Sequence, residues 1–289
     1  MMLAGLPTNR DGADRPVVHL HLGMPKSGSS AIQHQLECRR EELVQAGWIV
    51  PRTGLYLGAH YHLVRELRED REWELWPRAL EEGNEANSVL ISAEGLWFAS
   101  EAQVDRLAEW LRGYRVHAHV YLRRPDRFLG SFYRQRIKGS GRAESFSEFL
   151  AVPESSVDYP VILRRWSKHF ELRARFYEAV GRAIVEDFVT SLGLPAIVAR
   201  QDSKQLNRTP SDGATRAMWW GNRMLPRSLA ALVRGGIQAA DPLVRWLGKI
   251  PDEPLQEQGR RALSGWDSST FESFGVPADD WKSWSAEGV

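Results

Sequence analysis

The sequence predicts an α/β protein: a parallel sheet flanked by helices on both faces, P-loop-like at its first strand, with a helical, tryptophan-rich C-terminal extension. Three observations predict it. Short apolar runs alternate with helical periodicity between Val17 and Leu192, the pattern of a parallel sheet wrapped on both sides. The first run, Val17–Leu22, passes straight into a Gly- and Ser-rich turn and then into a helical pattern at Ala31. Beyond Pro195 the strand signals fade, while Trp219, Trp220, Trp246, Trp266, Trp281 and Trp284 fall in helical or irregular sequence. Residues 1–15 read as a loosely ordered N-terminus and 16–289 as one domain, its C-terminal extension starting at about 195.

Each element has its own local signal. Val17–Leu22 is short and apolar enough for a strand buried on both faces. Ser29 or Ser30 is placed to cap the next helix, whose core stripe is Ile32, Leu36, Leu43 and Val44, with Gly47 as its stop. Trp48–Val50 is extended and ended by Pro51. A looser segment holding His60 and His62 follows. Val89–Ser92 is the second long strand, ending at Ala93-Glu94-Gly95. Ala102–Leu111 reads as a helix and Val116–Leu122 as a strand with Arg123-Arg124 at its end. Pro125 opens a helix to about Ile137. Helical patterns at Phe146–Ala151 and Tyr159–Phe170 precede a strand at Leu172–Tyr177 and a helix at Ile184–Leu192, stopped by Gly193.

Composition excludes some classes. Apolar and charged fractions are those of an ordinary globular chain, and a net charge of +1 implies no global polyelectrolyte role. Charge is uneven, however: Arg123 to Arg142 holds seven basic residues against Asp126 alone. The single cysteine, Cys38, rules out an intramolecular disulfide and a Cys cluster for zinc, and reads as a structural thiol. No signal-peptide core stands at the N-terminus, and no stretch reaches the roughly 20 apolar residues of a membrane span. The expectation is a soluble, cytoplasmic protein.

In an open α/β sheet, ligands sit beyond the carboxyl ends of the strands. Three such ends are chemically loaded. In the first, Gly23 and Gly28 have the spacing of a nucleotide-binding P-loop, but Ser29 stands where that loop needs lysine, and the lysine is inside, at Lys26. Gly28, Ser29 and Ser30 offer N–H donors at a helix start, Ser27, Ser29 and Ser30 offer hydroxyls, and Lys26 a mobile charge. The bland alternative is a capped helix after a glycine turn. In the second, Arg123 ends a strand and Ser131 lies eight residues on, so a guanidinium and a hydroxyl can clasp one phosphate. Arg127, Ser131, Arg134 and Lys138 share one side of the helix, with Phe128 and Phe132 packing on another. For Arg134, Arg136 and Lys138 a solvated basic face is as good a reading. The third end carries Glu94.

The first two elements together resemble the sulfotransferases that use 3′-phosphoadenosine 5′-phosphosulfate (PAPS), over about residues 17–190. Pro25-Lys-Ser-Gly-Ser-Ser30 is similar to their 5′-phosphosulfate loop, with serine where threonine is common. Arg123-Arg-Pro-Asp-Arg-Phe-Leu-Gly-Ser-Phe-Tyr133 is similar to their 3′-phosphate element. Asn207-Arg208-Thr209 is a softer match to a late loop of bacterial members, and the Arg/Lys-Gly-rich loop that closes over the nucleotide in the cytosolic branch is missing. The resemblance implies PAPS as co-substrate, no metal, and a hydroxyl acceptor on a carbohydrate, glycolipid or small metabolite. It implies that Lys26 neutralises the leaving phosphate oxygen, that Ser27, Gly28, Ser29 and Ser30 hold the 5′-phosphate, and that Arg123 and Ser131 hold the 3′-phosphate.

An acceptor hydroxyl needs a general base. Glu94 is favoured by its strand end, and His60 and His62 by an ordinary pKa near neutrality. The bland readings are an ion pair of Glu94 with Lys26 or Arg123, and ordinary loop histidines. His19 and His21 read as hydrogen-bonded core or edge residues. Residues 225–250 mix Leu, Ala, Val and Trp246 with four basic residues. They suit a membrane surface or, more simply, a helical pair packed on the domain. Two rival functions stay open. A P-loop kinase lacks its lysine after Gly28. An anion- or nucleic-acid-binding protein using the Arg123–Arg142 patch lacks a recognisable nucleic-acid module.

Overall fold

The computed structural model describes residues 15–69, 71–141, 143–194, 211–240 and 253–285, and of 140, 212, 227, 238, 239, 253 and 285 the backbone alone. Residues 1–14, the 207–209 match and 241–250 of the amphipathic segment lie outside that set. The described chain falls into two compact units.

The first unit runs to Arg123, resumes at Tyr159 and again at Ser268. It holds five parallel strands, β1 (Val17–Leu22), β2 (Trp48–Ile49), β3 (Ser88–Ala93), β4 (Val116–Leu122) and β5 (Glu171–Phe176), in the order β2-β3-β1-β4-β5. The parallel sheet with helices on both faces is therefore observed. β1 is central, and the chain winds first to one side of it and then to the other. The loop after β1 thus lies where the winding reverses, the place where open α/β sheets bind ligands.

The two faces of the sheet differ because side chains alternate. One face is apolar: Val18, Leu20, Val89, Ile91, Ala118 and Val120 are buried there. The other is mixed. His19 pairs in register with Leu90 and His117, and His21 with Ser92 and His119. All four imidazoles are buried. His19 Nδ1 lies 3.0 Å from His119 Nε2, so one nitrogen donates and the other accepts. Ser92 Oγ bonds His21 Nδ1 at 2.8 Å and accepts from Gln33 Nε2 at 3.2 Å. The helices Ser29–Cys38 and Ile184–Ser191 close this face. Ile32, Leu36, Ile184 and Phe188 share a core with Leu90 and Tyr121, and the Phe188 ring lies 5.1 Å from that of His21. Buried polar groups of this kind need partners: His19, His21 and His119 find them in one another and in Ser92, while His117 Nδ1 lies 3.2 Å from Glu171 Oε2.

Several local expectations change. His60 and His62 do not sit in a loose segment: His62 is on the helix Tyr61–Arg68, and a second helix covers Leu75–Glu81. The second helix begins where the buried Glu66 carboxylate accepts the N–H groups of Glu74, Leu75 and Trp76. A cap supplied from outside the helix leaves no signal next to it in sequence. The cap of Ser29–Cys38 is Gly28 in the left-handed region, not a serine side chain. Cys38 is exposed at the end of that helix, so it is not a packed structural thiol.

The last described segment belongs to this unit and closes the β5 edge. Phe274 O accepts the Ala174 N–H at 3.4 Å, and the buried Asp280 carboxylate accepts from Arg175 Nε at 2.8 Å and from the Phe176 N–H at 3.2 Å. Trp284 stacks on Phe176, centroids 3.7 Å apart. An edge strand left bare would offer its N–H and C=O groups to other chains.

The second unit holds Arg124–Asp158 and the helices between Asp212 and Ser264. Its centre is the helix Pro125–Ser140, where Phe128 stacks on Phe132 at 5.3 Å and Tyr133 meets Phe146 and Phe149. Gly259 of the helix Glu253–Ser264 crosses that helix so closely that a Cβ would come within 2.3 Å of the Asp126 nitrogen. The tryptophan-rich C-terminal part is thus shared, Trp219 and Trp220 lying in the second unit and Trp281 and Trp284 in the first.

Candidate functional site

The loop from Leu22 to Ser29 is shaped by its own backbone. Gly23 donates to Ala93 O on the neighbouring strand at 3.2 Å, and a Cβ on it would stand 3.1 Å from the nitrogen and Cα of Glu94. Glycine lets the two strand ends touch. The hydroxyls of Ser27 and Ser29 turn inward and donate to Met24 O at 2.7 and 3.1 Å. Lys26 adopts a left-handed φ of 67°, unusual for a residue with a side chain, and Gly28 follows at 86°. A Cβ on Gly28 would meet Ile184 Cδ1 at 2.7 Å and Tyr177 Cε2 at 3.2 Å. The first helical bond is that from Ala31 N–H to Gly28 O, so the N–H groups of Gly28, Ser29 and Ser30 precede the helical ladder and are free of it. Ser30 is exposed and Lys26 half-buried.

The neighbouring strand ends add their groups in the order of the sheet. On the β3 side, Glu94 opens the short helix Glu94–Trp97. Burial raises its carboxyl above the ordinary carboxylate range, and the Lys26 charge pulls it partly back. The two are therefore within electrostatic reach. On the β4 side, the Arg123 N–H contacts Met24 Sδ at 3.4 Å and its guanidinium donates to Lys26 O at 2.5 Å. On the β5 side, Tyr177 places its ring 5.6 Å from the Arg123 guanidinium carbon and against Gly28. Tyr159 Oη donates to Arg123 O at 2.9 Å.

The remaining residues named from sequence have contacts of their own. His60 is fully buried. Its Nδ1 accepts the Ser92 N–H at 3.1 Å, and its Nε2–H donates to Pro51 O at 3.0 Å. Burial drops its pKa to about 4, and both nitrogens are engaged with the backbone. His62 is half-buried beside the Tyr56 ring at 5.8 Å, with its N–H on Gly54 O. Ser131 belongs to the second unit, buried on the helix Pro125–Ser140 rather than lying on an open basic stripe, whereas Arg127 is exposed.

Two residues were missed by sequence reasoning. Tyr177 follows β5 directly, and its place at a strand end was a usable signal. Tyr61 begins its helix and feels the Glu94 charge, which together with burial raises its phenol above the ordinary value, burial contributing more. No sequence pattern links Tyr61 to Glu94, because their electrostatic reach depends on where the helix Tyr61–Arg68 lies against the end of β3.

Taken together, the edge presents helix-start N–H groups, one lysine and one arginine to an anion, beside a carboxyl whose pKa burial raises. That set can bind a phosphate-like group and accept a proton. Among the described residues no group of three or more His, Cys, Asp or Glu could hold a metal ion.

No protein-family model matches the chain, and no curated protein matches it. Among solved structures, a sulfotransferase from Alicyclobacillus acidocaldarius aligns with 78% of this chain and 95% of its own, at 14% sequence identity and a TM-score of 0.46.

Proposed function

We propose that the chain is a PAPS-dependent sulfotransferase acting on a hydroxyl of a carbohydrate, glycolipid or small-molecule acceptor. The observation that carries the reading is the row Glu94, Lys26-to-Ser30 loop, Arg123 at adjoining strand ends. The motif resemblance supplies the donor. Sulfuryl transfer moves a charge-delocalised SO3 group in line, so the protein's share is positioning and electrostatics, as in phosphoryl transfer. The acceptor oxygen forms its bond to sulfur while the bond from sulfur to the 5′-phosphate oxygen breaks. The acceptor proton passes to Glu94, and adenosine 3′,5′-bisphosphate (PAP) leaves. Lys26 meets the charge that grows on the leaving oxygen, the N–H groups of Gly28, Ser29 and Ser30 hold the 5′-phosphate, and Arg123 takes the 3′-phosphate. Ser131 is assigned to the same phosphate on its sequence spacing from Arg123.

Glu94 is preferred as base because burial has already moved its pKa toward the working range of a general base. His60 is then a positioning residue that fixes the Ser92 backbone two residues before Glu94, and His62 is the second choice for the proton. The kinase reading is disfavoured by Ser29 in the place of the P-loop lysine and by a strand ending Ser92-Ala93-Glu94.

The test is a thermal-shift series followed by turnover. PAP should raise the melting temperature well beyond AMP or ATP with magnesium, by mass action on the folded state. Labelled PAPS should then pass label to a member of a hydroxyl-acceptor panel. Equal stabilisation by AMP and PAP removes the 3′-phosphate assignment, and a response to magnesium ATP alone restores the kinase.

A further inference from the structure

The helices Asp212–Met224 and Arg227–Ala239 form an antiparallel hairpin in the second unit, joined through Leu225-Pro226. The first helix is anchored. Ala214 and Met218 are buried, Trp219 Nε1 donates to Glu144 O at 3.2 Å, and Asn222 Nδ2 donates to Ile137 O at 3.0 Å. The second helix is built the wrong way round for a helix packed in a globular protein. Its inner side carries Ala230, the only buried residue among its described side chains, and Arg234, which donates to Asn222 Oδ1 at 2.8 Å. Its outer side carries Leu229, Leu232 and Val233, 49%, 75% and 37% exposed. Those positions repeat at three and four residues and form one stripe.

The first helix continues the theme. Arg216, Trp220, Arg223 and Met224 recur at helical spacing on its outer side, with Trp220 51% and Met224 71% exposed. Val233 lies across from Gly221, next to Trp220: a Cβ on that glycine would stand 3.5 Å from Val233 Cγ1. Between Ser211 and Ala239 there are four arginines and a single acidic residue, Asp212. The outward arginines are Arg216 and Arg223, the latter 5.4 Å from the Trp219 ring and within reach of the Glu148 charge, and exposed leucine, tryptophan and methionine beside such arginines are the composition of a helix that lies in a membrane interface. Tryptophan favours that depth, and arginine is drawn to anionic headgroups. No helix among the described residues is long and apolar enough to cross a membrane, so the geometry is that of lying on a bilayer, not spanning it.

We propose that this hairpin docks the protein on an anionic phospholipid surface, with Leu229, Leu232, Val233 and Met224 entering the headgroup boundary and Arg216 and Arg223 meeting lipid phosphates. The charge balance selects this occupant over a second copy of the chain, since two such faces would set arginine against arginine. The inference is independent of the sulfotransferase reading, because it uses no residue of the sheet edge.

The test is co-sedimentation of the full chain with vesicles of phosphatidylcholine alone and of phosphatidylcholine mixed with phosphatidylglycerol. Binding is expected to the mixed vesicles and to weaken with added salt. Leu232→Gln should lower the partition coefficient by roughly tenfold, the scale of withholding one leucine from an apolar phase, whereas Leu232→Phe should keep it. Leu229→Gln serves as an independent replicate, and unchanged melting temperatures show that these exposed sites do not affect folding. Absence of binding to mixed vesicles overturns the proposal. So does equal binding by wild type and both glutamine variants, or a lipid-free dimer in ultracentrifugation that Leu232→Gln dissociates.

Discussion

The Arg123 guanidinium donates to the carbonyl of Lys26 at 2.5 Å, tying the end of β4 to the glycine loop that follows β1. A residue named for one phosphate therefore also shapes the loop named for the other. Arg123→Ala should weaken PAP by about tenfold to a hundredfold, the range of a lost charge-assisted hydrogen bond of about 1.5–3 kcal/mol. AMP binding should fall as well, by less, because the loop loosens. Titration calorimetry with both nucleotides checks this. An intact fold that binds PAP normally would remove Arg123 from the site.

Lys26 is expected to act mainly in the transition state, when charge builds on the leaving oxygen. Lys26→Ala should lower kcat by roughly a hundredfold or more while PAP affinity changes far less. The left-handed backbone at this residue adds a second comparison: Lys26→Gly should restore loop geometry but not turnover. Recovery of turnover in the glycine variant would show that the side chain has only a conformational role.

Glu94 must be ionised to take a proton, and its carboxyl is raised by burial. Activity should therefore fall, as pH drops, at a higher pH than an ordinary carboxylate would give. Removing the Lys26 charge takes away the influence that lowers this pKa, so in Lys26→Ala the acid limb should move further up. Glu94→Gln should lose about 10²–10⁴-fold in turnover and keep donor binding. A normal rate in Glu94→Gln with a defective His62→Ala would hand the base to His62.

The histidine face gives a stability prediction. Burial lowers the pKa of His19 and His21 to about 3 and holds His119 well down. The folded state thus refuses protons that the unfolded chain accepts below about 6.5. Stability is fully present above that pH and is lost as pH falls toward 3, at up to about 1.4 kcal/mol per pH unit for each imidazole. Urea melts between neutral and mildly acidic pH should show the slope, and His119→Gln should flatten it even if the variant is less stable. A pH-independent midpoint across that window would contradict the account.

Much of this architecture was legible in the chain. Val116–Leu122 and Val17–Leu22 agree with the strands residue for residue, because buried parallel strands are nearly unbroken apolar runs bounded by turns. The loop, Arg123 and Glu94 could be named because they follow such strands. The helices Tyr61–Arg68 and Leu75–Glu81 could not, since their caps come from elsewhere. Glu66 holds the start of the second from eight residues away. The inward turn of the Ser27 and Ser29 hydroxyls was equally hidden, for it depends on where Met24 O points after the strand ends. The burial of Ser131 followed from helix packing that a face count alone does not settle.

The polar pairs across β1 bear on how the sheet is assembled. A parallel sheet of apolar strands is poorly protected against misalignment, since leucine and valine pack almost as well one step along. Here a one-residue shift of β1 would carry His19 and His21 to the opposite, apolar face and leave His119 and Ser92 without them. Each stranded group would cost about 1–3 kcal/mol. The imidazoles thus act as alignment keys that fix the register of β1 against β3 and β4.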